Sequence, residues 1–216
     1  AIVFPYRFHG ELVNRKYRPP HKSPQVQDKN ALATLFNVDA LLDAPDDAWV
    51  CWAEGEPDVM ALHEAGWPYA VTLKDGAPDK LREEDDPARQ EDKRFAAIET
   101  HADLLSRFQR IILAGDADKP GEVLREELAR RLGRHRVWTV QWPEGCKDAG
   151  DVLRVHGPDV LSNCIIEAQP WPIEGVQRIT PGLLQRLRER KPPPVMSTGT
   201  KSTNAIMKLP AEGRLI

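Results

Sequence analysis

The segment Ala53–Leu62 reads "AEGEPDVMAL", and it crowds the carboxylates of Glu54, Glu56 and Asp58 into one short stretch. "RIILAGDADKPG" adds Asp116 and Asp118, and "CKDAGDVL" adds Lys147, Asp148 and Asp151. Carboxylates brought together in a cleft of low effective dielectric repel one another, so a cation is their natural occupant. Hard oxygen donors on partly solvated loops suit Mg2+ or Mn2+, which keep waters and bind substrate phosphates. Each motif also has a purely structural explanation. Asp118 can cap a helix with Pro120 in its first turn, Glu56 and Asp58 can complement a helix dipole at Pro57, and Asp148 or Asp151 can serve as a cap. Lys16 and Arg18 in "NRKYRP", Lys74 in "VTLKDGA" and Lys147 have the charge to meet phosphate groups, although "LKDGAP" alone is only a turn.

The elements between these motifs decide how they are placed. "WVCWA" (49–53), "YAVTL" (69–73), "RIILAG" (110–115) and "RVWTVQW" (136–142) are short apolar runs rich in β-branched and aromatic residues, and they read as four buried strands. Helical periodicity fills the gaps. Pro57 and Gly66 bracket one helix, Phe95, Ile98, Ala102 and Leu105 share the face of a second, and Val123, Leu124, Leu128 and Leu132 share the face of a third that Gly133 closes. Strands alternating with helices imply an α/β fold with a mainly parallel sheet, whose ligands gather at the carboxyl ends of the strands. Glu54, Glu56 and Asp58 leave the first strand there, and Asp116 and Asp118 leave the third. That convergence favours the metal reading over capping alone.

Phe4 to Arg18 alternates as a β-hairpin turning near His9-Gly10, and "ALATLFNVDALLD" reads as a helix or as a strand and turn. "DVLRVHGPDVLSNCIIEAQ" is helical in pattern, and a linker comes after it that carries one basic helix, "RLRERK" at 186–191, fenced by Pro181 and Pro192–Pro194. The expected division is therefore 1–45 as a small N-terminal mostly-β subdomain, 46–168 as the catalytic α/β domain, and 169–216 as the linker with its helix.

Composition narrows the classes. The net charge of −3 hides basic flanks and an acidic middle, which on charge alone read as solvated faces and which also suit a cation at the centre and a polyanion at the edges. Three scattered cysteines and six scattered histidines offer no disulfide framework and no zinc-ligand spacing, so no zinc is expected in this chain. No apolar run is long enough for a membrane span and the opening lacks a secretory signal, so a soluble, cytoplasmic protein with no membrane partner is expected. Beginning without Met and ending on "AEGRLI", the chain reads as a piece of something longer.

"NRKYRP", "LFNVD", "AEGEPDVMAL", "VTLKDGA", "RIILAGDADKPG" and "CKDAGDVL" occur in the order seen in the primase half of phage bifunctional primase-helicases, relatives of the Twinkle helicase. The resemblance, to TOPRIM-fold primases, runs from about Phe4 to Leu161 and continues into "PWPIEGV" and the tail. It implies a TOPRIM sheet of about four strands flanked by helices, and DNA-dependent synthesis of RNA primers from NTPs on a single-stranded DNA template. By the same resemblance Glu54, Asp116 and Asp118 are the catalytic and metal-binding residues and Asp148 a further metal ligand, with Asp58 and Glu56 as secondary acidic positions; Asp151 joins them on its local pattern alone. Lys16, Arg18, Lys74 and Lys147 would meet nucleotide or DNA phosphates. A phage or prophage source would place the protein in the bacterial host cytoplasm.

Two departures qualify the match. No cysteines supply the zinc-binding module that reads templates in this family, so recognition of a start sequence would need that module from elsewhere in the protein or from another protein, and no GxxxxGK[ST] motif appears, so the helicase domain is a missing partner and no ATP-driven unwinding is expected. The rival readings are a TOPRIM nuclease using the same acidic cluster, a primase-derived module that only binds single-stranded DNA, and a plain α/β domain with capping carboxylates. A topoisomerase is remote, since Tyr6, Tyr17 and Tyr69 lie in no separate DNA-gripping domain.

Overall fold

The structure is a computed structural model that describes residues 1–20, 26–78, 80–173, 175, 176, 179, 181–189, 195, 196, 209 and 210. It divides into two compact units, Ala1–Ile173 and Glu174–Ile216.

The first unit begins with strands β1 (Ile2–Phe8) and β2 (Glu11–Arg18), an antiparallel hairpin joined to β3 (Val26–Gln27) in a three-stranded sheet. Its turn is His9-Gly10, where φ is +52° and +77°; positive φ at both central residues matches the right-handed twist of the strands. Alternation along β2 points Asn14 and Lys16 inward, at 1% and 6% exposure, and leaves Arg15 outside. After helix α1 (Asp39–Leu42) the main sheet starts with β4 (Trp49–Ala53), α2 (Glu56–Glu64) and β5 (Ala70–Val71).

Between β5 and β6 (Arg110–Ala114) lie α3 (Pro87–Gln90), a 3-10 turn at Lys93–Phe95, α4 (Ala96–Thr100) and α5 (Ala102–Ser106). The single helix expected there is thus broken at His101, which is 3% exposed and shares a 2.8 Å hydrogen bond between its Nε2 and Thr34 Oγ1. Next come α6 (Lys119–Leu132), β7 (Val137–Thr139), α7 (Ala149–His156), α8 (Pro158–Ile166) and β8 (Gln169–Pro170). The helical pattern expected after the core forms two helices, because Gly157 adopts φ +85° and Pro158 starts a new first turn. The second unit contains α9 (Pro181–Glu189) and the paired strands β9 (Val195–Met196) and β10 (Leu209–Pro210). Arg190, Lys191 and Pro192–Pro194, part of the expected basic linker helix and its proline fence, lie outside the described residues.

The main sheet runs β5-β4-β6-β7-β8, with β4, β5, β6 and β7 parallel and the short, polar β8 antiparallel at the edge. "WVCWA" is a strand over its whole length, while "YAVTL" and "RVWTVQW" supply only two and three strand residues. The central strands β4 and β6 are buried on both faces, as a parallel sheet requires. Val50, Trp52, Ile111 and Leu113 pack with Phe95, Leu105, Leu124 and Leu128 on one side. Cys51, Ala53, Ile112 and Ala114 pack with Val59, Leu62, Val152, Leu161 and Ile165 on the other.

One glycine fixes how α6 leaves the sheet. A Cβ on Gly121 would stand 2.2 Å from the Asp116 carbonyl oxygen, a backbone atom that no rotamer change can clear. Gly121→Ala therefore destabilises the fold by about 1–3 kcal/mol, visible as a Tm several degrees lower in a thermal melt, whereas Gly145→Ala, with nothing within 4 Å but a φ of +83°, disturbs only its own turn.

Candidate active site at the carboxyl ends of the strands

The parallel register pairs Trp49 with Arg110 and Ala53 with Ala114, so β4 and β6 stop level with each other. The next residues, Glu54 and Gly115-Asp116, must emerge side by side, and the Asp116 N–H donates to Glu54 Oε2 at 3.3 Å. A cleft of about 560 Å3 opens there, lined by Lys16, Arg18, Glu54, Glu56, Asp58 and Asp116 and by Lys147, Asp148 and Asp151. Most of the charged positions singled out from sequence thus meet at one place.

Each is held by local chemistry. Asp148 caps α7, its Oδ1 accepting the Asp151 N–H at 2.6 Å, and Asp58 on α2 accepts the Gly150 N–H at 3.1 Å, which ties α2 to the start of α7. Lys147 Nζ lies 3.6 Å from Asp116 and 3.4 Å from Asp148, so a lysine cation already stands between two of the carboxylates. The Ala117 N–H donates to the Lys147 carbonyl at 2.7 Å, fastening the loop after β6 to the loop before α7. Arg125 on α6 donates to the carbonyls of Gly115, at 3.2 Å, and Asp116, and Trp142 Nε1 donates to the Gly115 carbonyl at 3.0 Å. The sequence offered no signal for these two, since "VLREELARRL" reads as an ordinary amphipathic face and Trp142 as the end of a strand.

Two expected site residues lie differently. Asp118 is exposed and caps α6 by accepting the Gly121 N–H at 2.9 Å; it stands outside the cleft lining, though its charge still acts on Glu54 and Asp116. Lys74 pairs with Asp75 at 3.5 Å, and Gly76 rather than Lys74 brings the loop after β5 to the cleft.

Glu56 faces the hairpin. Its Oε1 accepts the Tyr6 hydroxyl at 2.5 Å and lies 2.7 Å from Lys16 Nζ, and all three side chains are buried. Glu56 is therefore engaged by its neighbours, and the arrangement fixes Lys16 at the cleft wall. Burial and the Glu56 charge push the Tyr6 hydroxyl well above the ordinary tyrosine range, so it stays protonated as a donor.

The acidic groups are electrostatically frustrated. Burial, then the Asp116 charge, raises the Glu54 pKa to about 7, against the opposing hydrogen bond from the Asp116 N–H. Burial raises Asp58 to about 6, and it also raises Asp116 in spite of Lys147. Among the described residues, no three acidic, histidine or cysteine side chains form a ready-made ligand set. The donor chemistry nevertheless fits a hard divalent cation: the candidate donors are carboxylate oxygens, their shared charge is unfavourable, and a lysine cation sits between two of them.

The Toprim domain family matches residues 49–141. The primase homolog protein of Arabidopsis thaliana is 40% identical over 179 residues, 81% of this chain and 52% of that protein. The chloroplastic/mitochondrial Twinkle homolog protein of the same plant is 38% identical over 181 residues, 82% of this chain and 25% of that protein. The chain thus spans about half and a quarter of these relatives. Among solved structures, the RNA polymerase domain of Mycobacterium tuberculosis primase DnaG has a TM-score of 0.59 at 20% identity, covering 78% of this chain and 55% of that one. The primase fragment of the bacteriophage T7 primase-helicase protein has a TM-score of 0.53 at 23% identity, covering 74% and 59%. These structural likenesses concern the fold.

Two measurements check the electrostatics. Removing the partner of a buried cation costs about 3–5 kcal/mol, so Glu56→Ala should unfold in far less urea than the wild type. Tyr6→Phe, which deletes one hydrogen bond to a charged group, should cost about 1.5–3 kcal/mol. For Glu54 the sign runs the other way from the usual carboxylate. Its pKa in the folded protein lies above the unfolded value of 4.5, so its ionisation opposes folding, fully above pH 7 and not at all below pH 4.5. Metal-free Glu54→Gln should accordingly melt above the wild type at pH 8, by about 2–4 °C per kcal/mol relieved, with the gap closing toward pH 5.

Proposed function

The chain has the Toprim fold of primases and resembles the primase part of phage primase-helicases, and from that premise we propose that it synthesises RNA primers from NTPs on a single-stranded DNA template. The observation that carries this reading is the level ending of β4 and β6, which sets Glu54 beside Asp116 in a cleft walled on one side by Lys16 and Arg18.

Primer synthesis joins two nucleotides. The 3′-hydroxyl oxygen attacks the α-phosphorus of the incoming NTP, the new P–O bond forms as the bond to the β-phosphate oxygen breaks, and pyrophosphate leaves with the electron pair. Lys16, immobilised by Glu56, and the exposed Arg18 would offset triphosphate or template charge by contacts that carry no sequence information. Lys147, with its long exposed stem, would move from its carboxylate partners to phosphate. Glu54 would receive the hydroxyl proton. Glu54, Asp116, Asp118 and Asp148 would hold a Mg2+ or Mn2+ ion, which would supply charge neutralisation for the entering and leaving oxygens.

Template choice would require a zinc-binding domain, from the same protein or supplied in trans, and a helicase domain would deliver the single strand. The second reading is a module that binds single-stranded DNA without chemistry. It is favoured by Lys147, which already compensates Asp116 and Asp148, whereas the full set of carboxylates favours the enzyme. A nuclease would use the same acidic cluster on DNA without NTPs.

The test is primer synthesis on mixed-sequence single-stranded DNA with labelled NTPs and Mg2+ or Mn2+. Short template-dependent RNA products are expected from the wild type, with at least a ~100-fold loss for Glu54→Gln and Asp116→Asn. DNA cleavage without NTPs would assign the cluster to a nuclease, and DNA binding with no product, even with a zinc-binding domain added, would leave the binding module.

A further inference from the structure

At the opposite end of the sheet, four side chains form a stack that the proposed chemistry does not use. Trp67 lies on Trp49 with ring centroids 5.7 Å apart and planes 21° apart, and the Arg110 guanidinium lies 4.1 Å from the Trp49 ring and 4.0 Å from the Trp138 ring. The parallel registers explain the order. Trp49 opens β4, Arg110 opens β6 level with it, and Trp138 comes next on β7, all on the face covered by α2, α7 and α8. Trp67 is anchored by Nε1, which donates to Ser162 Oγ at 3.2 Å. The stack is half-buried and borders an open cleft of about 650 Å3. It sits one strand length, roughly 13 Å, from the acidic cleft.

Arg110 is fixed yet unspent. Two indole rings lie about 4 Å from its central carbon, and among the described residues no hydrogen bond or ion pair uses its N–H groups, whereas Arg107 beside it is committed to Asp46 at 2.8 Å and to the carbonyls of Leu42 and Ala44. Its unused N–H groups form a planar donor fork matched to phosphate or carboxylate. Asp46 and Asp47 also line the cleft. They would repel further anionic groups of any kind, so the cleft suits one phosphate at Arg110 with a flat, uncharged ring beside it, the neighbouring phosphates of a strand staying outside.

We propose that Arg110 and Trp138 form a second nucleic-acid contact, in which Arg110 holds one backbone phosphate of a single strand and a neighbouring base stacks on Trp138. Base–aromatic stacking accepts any base, and a single phosphate contact carries no sequence information. The site would grip the strand at the far end of the sheet from the chemistry. This inference does not depend on catalysis, because a pure binding module would use it equally.

The test starts with the wild-type chain and a single-stranded oligonucleotide carrying 5-iodouracil, irradiated without divalent metal and mapped by mass spectrometry. An adduct on the peptide containing Trp138 is expected. In titrations, Arg110→Gln should weaken binding roughly tenfold or more and reduce the slope of log K against log salt by ~0.7, the value for one phosphate on a single strand. Arg110→Lys, which keeps the charge but not the fork, should fall between. Adducts confined to the hairpin and the acidic cleft, or an unchanged affinity and slope in Arg110→Gln, would overturn the proposal and leave the stack as a cover for the core. Displacement of the oligonucleotide from this peptide by poly-glutamate, but not by unlabelled single-stranded DNA, would overturn it in favour of an acidic protein partner.

Discussion

The parallel register of β4 and β6 is the constraint on which the site and its supports depend. Five consecutive residue pairs hold the two strands level, so the loops leaving their carboxyl ends are forced together. The result is a cluster that a folded domain would otherwise avoid, with Glu54, Asp58 and Asp116 all pushed toward protonation. The fold makes this tolerable by aiming helix starts at the same spot. Helices α2, α6 and α7 begin at Glu56, Lys119 and Ala149, each just after a strand end or loop that borders the cleft. Their first-turn N–H groups, which have no carbonyl partner within the helix, and their positive dipole ends offset part of the negative charge. Asp58 shows the effect directly, because the Gly150 N–H lowers a pKa that burial raises.

The hairpin depends on the same geometry through Glu56. An ion pair this buried gains little over an apolar contact of the same shape, yet its loss is strongly destabilising once one partner is removed. Its consequence is orientation. Lys16 cannot swing away from Glu56 without leaving a charge unpaired, and Tyr6 and Lys16 belong to opposite strands of the hairpin, so one carboxylate on α2 sets the angle of the whole β1–β2 ribbon. The aromatic contacts of Phe4 and Tyr6 with Phe36 complete the seam, and the Phe36–Thr72 bridge carries it to the loop after β5. Arg18 continues the same face two residues beyond Lys16 and reaches the rim of the cleft.

Sequence patterns expressed this architecture wherever one local rule acted alone. "WVCWA" and "RIILA" are buried strands, and nothing competes with their apolar runs. Capping at Asp118 and Asp148 was equally visible, because Pro120 and the small residues after Asp148 mark helix starts. The features that stayed hidden depended on distant partners. Glu56 looked like a third carboxylate of the acidic cluster until its hydrogen bond from Tyr6, fifty residues away, came into view. The break at His101 rests on Thr34, and β8 is a strand only because β7 has a free edge for two residues to join. Arg125 carries no motif, and its role comes from the loop that α6 happens to overlie.

The two ends of the sheet hold charge in opposite ways. At the carboxyl end, charges of one sign are held together against their own repulsion, so any ligand that supplies positive charge also stabilises the folded chain. Ligand affinity and metal-free stability are therefore opposed there: relaxing the cluster would give a firmer domain and a weaker site. At the amino end the charge of Arg110 is already sheltered by tryptophan faces, and the fold gains packing whether or not a ligand arrives. A domain built this way can keep a rigid grip at one end of its strands while reserving its instability for the end where chemistry would need it.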